Sequence, residues 1–363
     1  MHLVIHAWRE LDHPQAGGSE QLVHQIASGM GERGHHVHLI CGSPIGERAY
    51  AVTGAGGTYS QYLRMPLLDH RLSRHADVVL DIANGATYCT PLWRRAPTIL
   101  LVHHVHTEQW GQTFPRPIAA AGSWFERKVV PRVYRRSLII AVSPSTSADL
   151  VGLGVDASRI RIVQNTVEPV PSECSPTRSS EPLFVALGRL VPHKRIDLLL
   201  EMWERVRPLT GGRLVIIGDG PERLRLQGLA GQSVELLGRV DDETKHRLLS
   251  EAWMLLHTAS HEGWGIAITE AAVRGTPALA FDAAGIRDAV VTGRTGLLVD
   301  TSDDFVRQWV ALVHRPTLLA DYGTAAREWA GALGTAHTID RFEEVALEAI
   351  ARRTTHRRDG RTR

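Results

Sequence analysis

Three cysteines, Cys41, Cys89 and Cys174, are all that 363 residues carry. An odd number at unrelated spacings argues against a disulfide framework and for a reducing compartment. No apolar run approaches the roughly 20 residues that a membrane-spanning helix needs. The opening residues, Met1 to His6, lack the basic start and long apolar centre of a signal peptide, so a cytoplasmic protein is expected. Net charge is small too, 41 Lys and Arg against 39 Asp and Glu. The formal +2 resides in the end of the chain, where Arg352 to Arg363 hold six arginines against one aspartate, +5, leaving −3 for the rest. A mildly acidic body gives nucleic acid little support as a partner. Low-complexity segments, internal repeats and any Asp-x-Asp pair are likewise missing.

What is present divides in two. A chain of this length, 43% hydrophobic, exceeds one core. Strand and helix patterns alternate on both sides of a segment rich in Pro and Ser, 168–182, which reads as a linker. Such alternation predicts an α/β fold of two doubly wound, Rossmann-like domains, with ligands beyond the carboxyl ends of the strands in a cleft between them.

The most informative stretch is Ser260 to Glu270. It sets two carboxylates, Glu262 and Glu270, around a glycine-rich turn that opens a helix, with Gly275 and Pro277 ending that helix before the strand 278–281. Free N–H groups at Gly265, Ile266 and Ala267 would favour an anion, and Glu270, one turn further on, would face it. A carboxylate beside a phosphate site suits sugar hydroxyls. The ligand expected is a sugar attached to phosphate. Upstream, the buried strand 183–187 runs into Gly188, Arg189 and, after Pro192, Lys194. A fork-shaped and a point-like cation in one strand-to-helix loop can converge on a diphosphate. A second strand, 213–217, leads to Gly218-Asp219-Gly220, but Arg223 stands where a dinucleotide fingerprint needs its third glycine.

These segments resemble the nucleotide-sugar-binding half of the retaining glycosyltransferases of family GT4, whose signature is the Glu, seven residues, Glu spacing of Glu262 and Glu270. At the front, the strand 3–7 is followed by the loop 15–20 with Gly17 and Gly18, then a helix closed by Gly34, as in that family. The segments 139–143 and 154–165 look like the last strands of its N-terminal domain, although Thr166 stands where glycine usually follows the asparagine. The resemblance covers roughly Met1 to Ile350. It implies a GT-B fold: an N-terminal acceptor-side domain over 1–167, completed by a helix at 336–350, and a donor-side domain over 183–335. The basic end, 351–363, is expected to be a disordered, solvated tail.

The resemblance further implies transfer of a sugar from a nucleoside-diphosphate-sugar to a hydroxyl acceptor, a glycan, a lipid-linked sugar or a small molecule, with retention at the anomeric carbon. Arg189, Lys194 and the helix N–H groups would stabilise the departing diphosphate without a metal or other cofactor. Glu262 would hold sugar hydroxyls, Glu270 the ribose, and Gly17 and Gly18 the donor side of the facing domain. A histidine at the carboxyl end of the strand 98–102 would serve the transferred sugar; His103 fits that place best and His104 is the alternative. His103, His104, His106 and Glu108 also suggest a metal, but neighbours in an extended segment point different ways. Asp81 and Asn84 are candidates for an acceptor pocket by position. The stretch Trp124 to Arg136, broken by Pro131, reads first as surface helices, with peripheral membrane contact as the alternative. An epimerase or phosphorylase on the same fold, or a silent nucleotide-binding subunit, are the competing readings.

Overall fold

The computed structural model describes residues 1–13, 16–42, 46–107, 109–165, 167 and 178–359. The chain divides into two compact units, Met1–Asn165 with Thr335–Arg363, and Thr166–Gly334. Each unit is built on one parallel sheet with helices.

In the first unit the strands are β1 (His2–Ala7), β2 (His36–Cys41), β3 (Ala51–Gly54), β4 (Val78–Ala83), β5 (Thr98–Val102), β6 (Leu138–Ala141) and β7 (Ile160–Ile162). Their order is β3-β2-β1-β4-β5-β6-β7, so the winding reverses between β1 and β4. Near-continuous burial along β4, β5 and β6 is what a sheet covered on both faces requires. The helix Gly18–Glu32 packs on the last helix, Thr335–Asp359: a Cβ at Gly29 would lie 2.7 Å from Ile339 Cγ1, and Arg33 pairs with Asp340 and Glu343. Glycine therefore sets how closely these helices approach. That last helix continues to Asp359, so most of the stretch expected as a disordered tail is helical. Helical structure also runs unbroken from Arg116–Trp124 through a π-helical turn, Phe125–Val129, into Val130–Val133. Pro131, expected to interrupt it, is accommodated: proline has no N–H to give and crowds the carbonyl four residues back, and a widened turn relieves that crowding.

In the second unit the strands are β8 (Leu183–Leu187), β9 (Arg213–Ile217), β10 (Val234–Gly238), β11 (Met254–His257), β12 (Ala278–Phe281) and β13 (Gly296–Val299). The order β10-β9-β8-β11-β12-β13 again reverses, here between β8 and β11. One face is closed by the helices Ile196–Thr210 and Ser302–Val313, whose Trp203 and Trp309 stack at 5.6 Å, with Phe184 of β8 edge-on to Trp309 at 5.0 Å. Truncating either Trp would cost about 3–5 kcal/mol. This aromatic cluster holds the helix that follows Lys194 against the sheet. Of the expected linker, 168–177 lies outside the described residues, whereas Arg178 donates to the carbonyls of Ser250, Ala252 and Gly275 and so ties residue 178 to the turns that precede β11 and β12.

Candidate functional site

Most of the residues singled out in the second unit gather at one place, the carboxyl ends of β8 and β11, where the strand order reverses and open α/β sheets bind ligands. Three loops meet there, and glycine permits the meeting. Gly188 has φ +151°, and a Cβ at Gly218 would stand 1.9 Å from the Gly188 carbonyl oxygen, so only hydrogen fits. Gly285 has φ +77°, and its Cβ would come within 2.1 Å of the Glu262 carbonyl oxygen. The 3₁₀ turn Pro192–Lys194 is pinned from below: Arg195, in a left-handed conformation, donates to the Thr258 carbonyl at 2.7 Å and lies 4.5 Å over the Phe281 ring, while the Thr258 hydroxyl donates to the Lys194 carbonyl at 2.8 Å.

This framework aims Lys194 at Glu262. The ammonium donates to Glu262 Oε1, and His257 Nε2 lies 3.2 Å from the same oxygen. Burial alone would raise the Glu262 carboxyl, but the Lys194 charge and the His257 hydrogen bond override it and hold that acid well below the usual carboxylate range. Burial lowers the His257 pKa, against the pull of Glu262, and its Nδ1 has no partner among the described residues. His193 is pulled down to about 4 by burial and by the Lys194 charge. A shallow open pocket is lined by Gly188, Arg189, Lys194, His257, Thr258 and Ala259, over an apolar floor that includes Ile196, Ile216 and Leu256. Arg189 is exposed at its rim. The site is therefore cationic at the mouth, and the Lys194 ammonium in its wall is fixed by the Glu262 carboxylate.

Gly265 takes a left-handed conformation, φ +87°, and starts a helix that runs only Ile266–Ala272. It is shorter than the expected extent to Arg274; Gly275, φ +73°, ends the following turn. The first bond back along it is from the Ile268 N–H to the Gly265 carbonyl, so the N–H groups of Ile266 and Ala267 precede the intrahelical ladder. Glu270 is buried, and its Oε1 accepts from Lys245 at 2.9 Å, Lys245 also reaching Asp242 at 2.8 Å. Neither Lys245 nor His257 carried a signal in the sequence: each is one basic residue in an ordinary helix or strand, 25 and 5 residues from its acid.

In the first unit, Gly17 precedes the helix Gly18–Glu32 in extended conformation, φ −151°, and the Glu20 carboxylate receives its N–H at 2.8 Å and Arg9 Nε at 2.9 Å. A Cβ at Gly17 would meet nothing nearer than 4.0 Å, so neither its backbone nor its protein neighbours demand glycine. Gln15 and Glu108 lie outside the described residues. His103, at the end of β5, is 7% exposed; its Nε2 has no partner among the described residues, and its carbonyl accepts from Thr146 at 3.1 Å. Burial pulls its pKa down to about 4, against a small upward effect of the Glu20 charge. His104 turns to Gln109 at 2.9 Å and lies tilted against the His106 ring, centroids 4.0 Å apart; His106 Nδ1 is 3.6 Å from Glu126. Among the described residues no three His, Cys, Asp or Glu side chains are placed to hold a metal ion. Asp81 is not a pocket residue: it lies inside β4, fully buried, and accepts from Thr90 at 2.7 Å and from Tyr134. Asn84 makes an isolated bridge with Ala86.

Comparison with known proteins agrees in both units. Residues 16–170 match the family description Glycosyltransferase Family 4, and residues 173–329 match Glycosyl transferases group 1. A GDP-mannose-dependent alpha-mannosyltransferase of Mycobacterium tuberculosis is 29% identical over 243 residues, 64% of this chain and 61% of that protein. A GDP-mannose-dependent alpha-(1-6)-phosphatidylinositol monomannoside mannosyltransferase from the same organism is 33% identical over 210 residues, 52% of each. The chain thus spans half to three-fifths of the length of these relatives. Among solved structures, Anabaena HepE in complex with UDP-glucose superimposes with a TM-score of 0.77 at 16% identity, over 96% of this chain and 100% of that one. Sucrose-phosphate synthase from Thermosynechococcus elongatus gives 0.78 at 19% identity over the whole of both chains. With both sheets, both reversals and both family descriptions in place, the chain belongs to glycosyltransferase family 4 and has the GT-B fold.

Proposed function

We propose that the protein transfers a sugar from a nucleoside-diphosphate-sugar to a hydroxyl acceptor with retention at the anomeric carbon. The observation that carries this reading is the Lys194–Glu262 pair at the strand-order reversal, beside exposed Arg189. As the bond from the sugar to the diphosphate breaks, positive charge grows at the anomeric carbon and negative charge on the leaving oxygen. Lys194 and Arg189 stabilise the latter, supported by the N–H groups of Ile266 and Ala267, and a fixed cation does so without reorganisation during the step. Lys194 and His257 both engage Glu262 Oε1, which leaves Oε2 for a sugar hydroxyl. Glu270, braced by Lys245, serves the ribose. Gly17 and Gly18 let a donor phosphate approach the backbone closely. His103 serves the transferred sugar through its unpartnered Nε2. No metal or cofactor is needed in this scheme. The acceptor is a glycan, a lipid-linked sugar or a small molecule, and the protein acts in the cytoplasm.

Relatives named for GDP-mannose and a fold neighbour bound to UDP-glucose define the first donors to try. The test is a thermal-shift screen of GDP, UDP and their sugars, in which a ligand at 100 times its dissociation constant adds about 2.7 kcal/mol. NMR of the stabilising donor, alone and with acceptors, then follows the anomeric signal. Transfer with the anomeric coupling preserved supports the reading. Inverted product refutes retention, epimerised donor refutes transfer, and no stabilisation by any nucleotide refutes the site.

A further inference from the structure

Two helical segments of the first unit turn apolar and cationic side chains outward. The helix Ser60–Leu72 buries Gln61, Met65 and Asp69 against the sheet. Its opposite side presents Leu63, 86% exposed, and Leu67, 53% exposed, with Tyr59 just before the helix at 75%. Spacings of four residues line these three up as one stripe. Exposed Arg64, Arg71 and Arg74 border it. An amphipathic helix of a soluble domain ordinarily turns its apolar stripe inward. The second segment, Arg116–Trp124 and the turns after it, exposes Ile118 and Trp124 beside Arg116, Arg127, Lys128 and Arg132, with Arg135 and Arg136 next in sequence. The only acids in the two segments, Asp69 and Glu126, are buried: Asp69 pairs with Arg94, and Glu126 receives the His106 N–H at 2.7 Å.

A buried polar chain holds both segments over one face of the sheet. Asp69 is 3.3 Å from His6 Nε2 in β1, and His6 Nδ1 is 3.2 Å from the Thr90 hydroxyl. Thr90 donates to Asp81 of β4, and Tyr134, just past the second segment, donates to the same carboxylate. His6 and Asp81 are partners in the parallel register of β1 and β4, so they point to the same side.

We infer that this shared face is a docking surface for a bilayer containing anionic lipids. Leu63, Leu67 and Trp124 enter the boundary between headgroups and acyl chains, and the arginines meet lipid phosphates. The pairing of apolar with cationic side chains selects a bilayer over nucleic acid, whose phosphates would engage the cations and leave Leu63 and Trp124 in water. Docking uses none of the donor-site residues, so it can be tested apart from transfer.

The experiment is flotation of the full chain with vesicles of phosphatidylcholine alone, or of equal parts phosphatidylcholine and phosphatidylglycerol. Binding to the mixed vesicles only, weakened by salt, is expected. Leu63→Asp with Leu67→Asp, and separately Arg127→Glu with Lys128→Glu, should each lower partition about tenfold or more while melting temperature and nucleoside diphosphate affinity stay as in the parent. Acyl chains brominated near the headgroup should quench the parent's tryptophan fluorescence more than that of Trp124→Phe. The inference is overturned if the chain ignores mixed vesicles, binds both kinds equally, or keeps its partition in both double variants. Light scattering that shows the variants only dissolving a dimer would assign the face to a second copy instead.

Discussion

Lys194 and Glu262, 68 residues apart in sequence, close on each other as an ion pair with each side chain only 17% exposed. That relationship changes what a substitution at Lys194 means. Read from its loop position, Lys194→Ala is expected to spare the fold; in the structure it leaves a buried carboxylate facing His257 alone. Loss of about 3 kcal/mol is expected, whereas Lys194→Met combined with Glu262→Gln recovers most of it. Urea denaturation of the parent and the two variants decides the matter, and an Ala variant as stable as the parent would show that the pair contributes nothing.

Acid stability follows from the same pair. The folded chain keeps Glu262 ionised below the ordinary carboxylate range, so the unfolded chain binds the extra proton. The contribution is present in full above about pH 4.3 and is lost as pH falls below it. Glu262→Gln should therefore be less stable than the parent near neutrality and show a shallower decline below that point. Parallel stability-versus-pH curves for the two proteins would contradict the assignment.

Arg189 offers the contrast. It is exposed and follows a glycine at a pocket rim, so Arg189→Ala should change stability by no more than about 0.5 kcal/mol. Its cost should appear in binding, about 1.5–3 kcal/mol of nucleoside diphosphate affinity for a lost charge-assisted contact. Calorimetry giving unchanged affinity would remove Arg189 from the site.

The two sheets were legible because buried strands such as 183–187 and 98–102 are short apolar runs bounded by glycine, histidine or proline, and the Glu262–Glu270 spacing is local. What was not legible is long-range. Nothing in the sequence ties Asp81 to Tyr134, 53 residues on, and so Asp81 read as a pocket residue instead of a buried acceptor. The Lys245 brace on Glu270 depends on how the helices that follow β10 and β11 meet, and the closure of Lys194 on Glu262 on how the loops that follow β8 and β11 meet. The apolar stripe of Ser60–Leu72 was missed for a related reason: periodicity shows that a helix has an apolar side, not which way that side faces.

Transfer should survive removal of divalent metal. In the proposed scheme the Lys194 ammonium, Arg189 and the N–H groups of Ile266 and Ala267 would do the electrostatic work that a metal does elsewhere. Exhaustive chelation followed by assay with a stabilising donor should leave most of the activity; modest stimulation by magnesium is compatible, since magnesium complexes the released diphosphate. Abolition by chelator, rescue by one metal and a stoichiometric metal by elemental analysis would together refute the scheme and return attention to His103, His104 and His106.

His103 provides the sharpest test in the first unit. With its pKa pulled down to about 4 by burial, it is neutral at physiological pH, and in the proposed scheme it would act by hydrogen bonding through Nε2 rather than as a cation. The sign of its effect on stability follows. Below about pH 6.5 the unfolded chain protonates this imidazole and the folded chain does not, so stability present above that point declines toward pH 4. His103→Asn should flatten part of that decline, a readout independent of turnover. His103→Ala should lower turnover about a hundredfold or more with nucleoside diphosphate affinity little changed, because the cations and N–H groups proposed to hold the diphosphate, Arg189, Lys194, Ile266 and Ala267, lie in the other unit. His104, occupied by Gln109 and tilted against His106, is the control, and His104→Ala should keep most of its turnover. Loss in His104→Ala with retention in His103→Ala would move the role one residue along the chain; retention in both would leave His103 as a buried structural histidine.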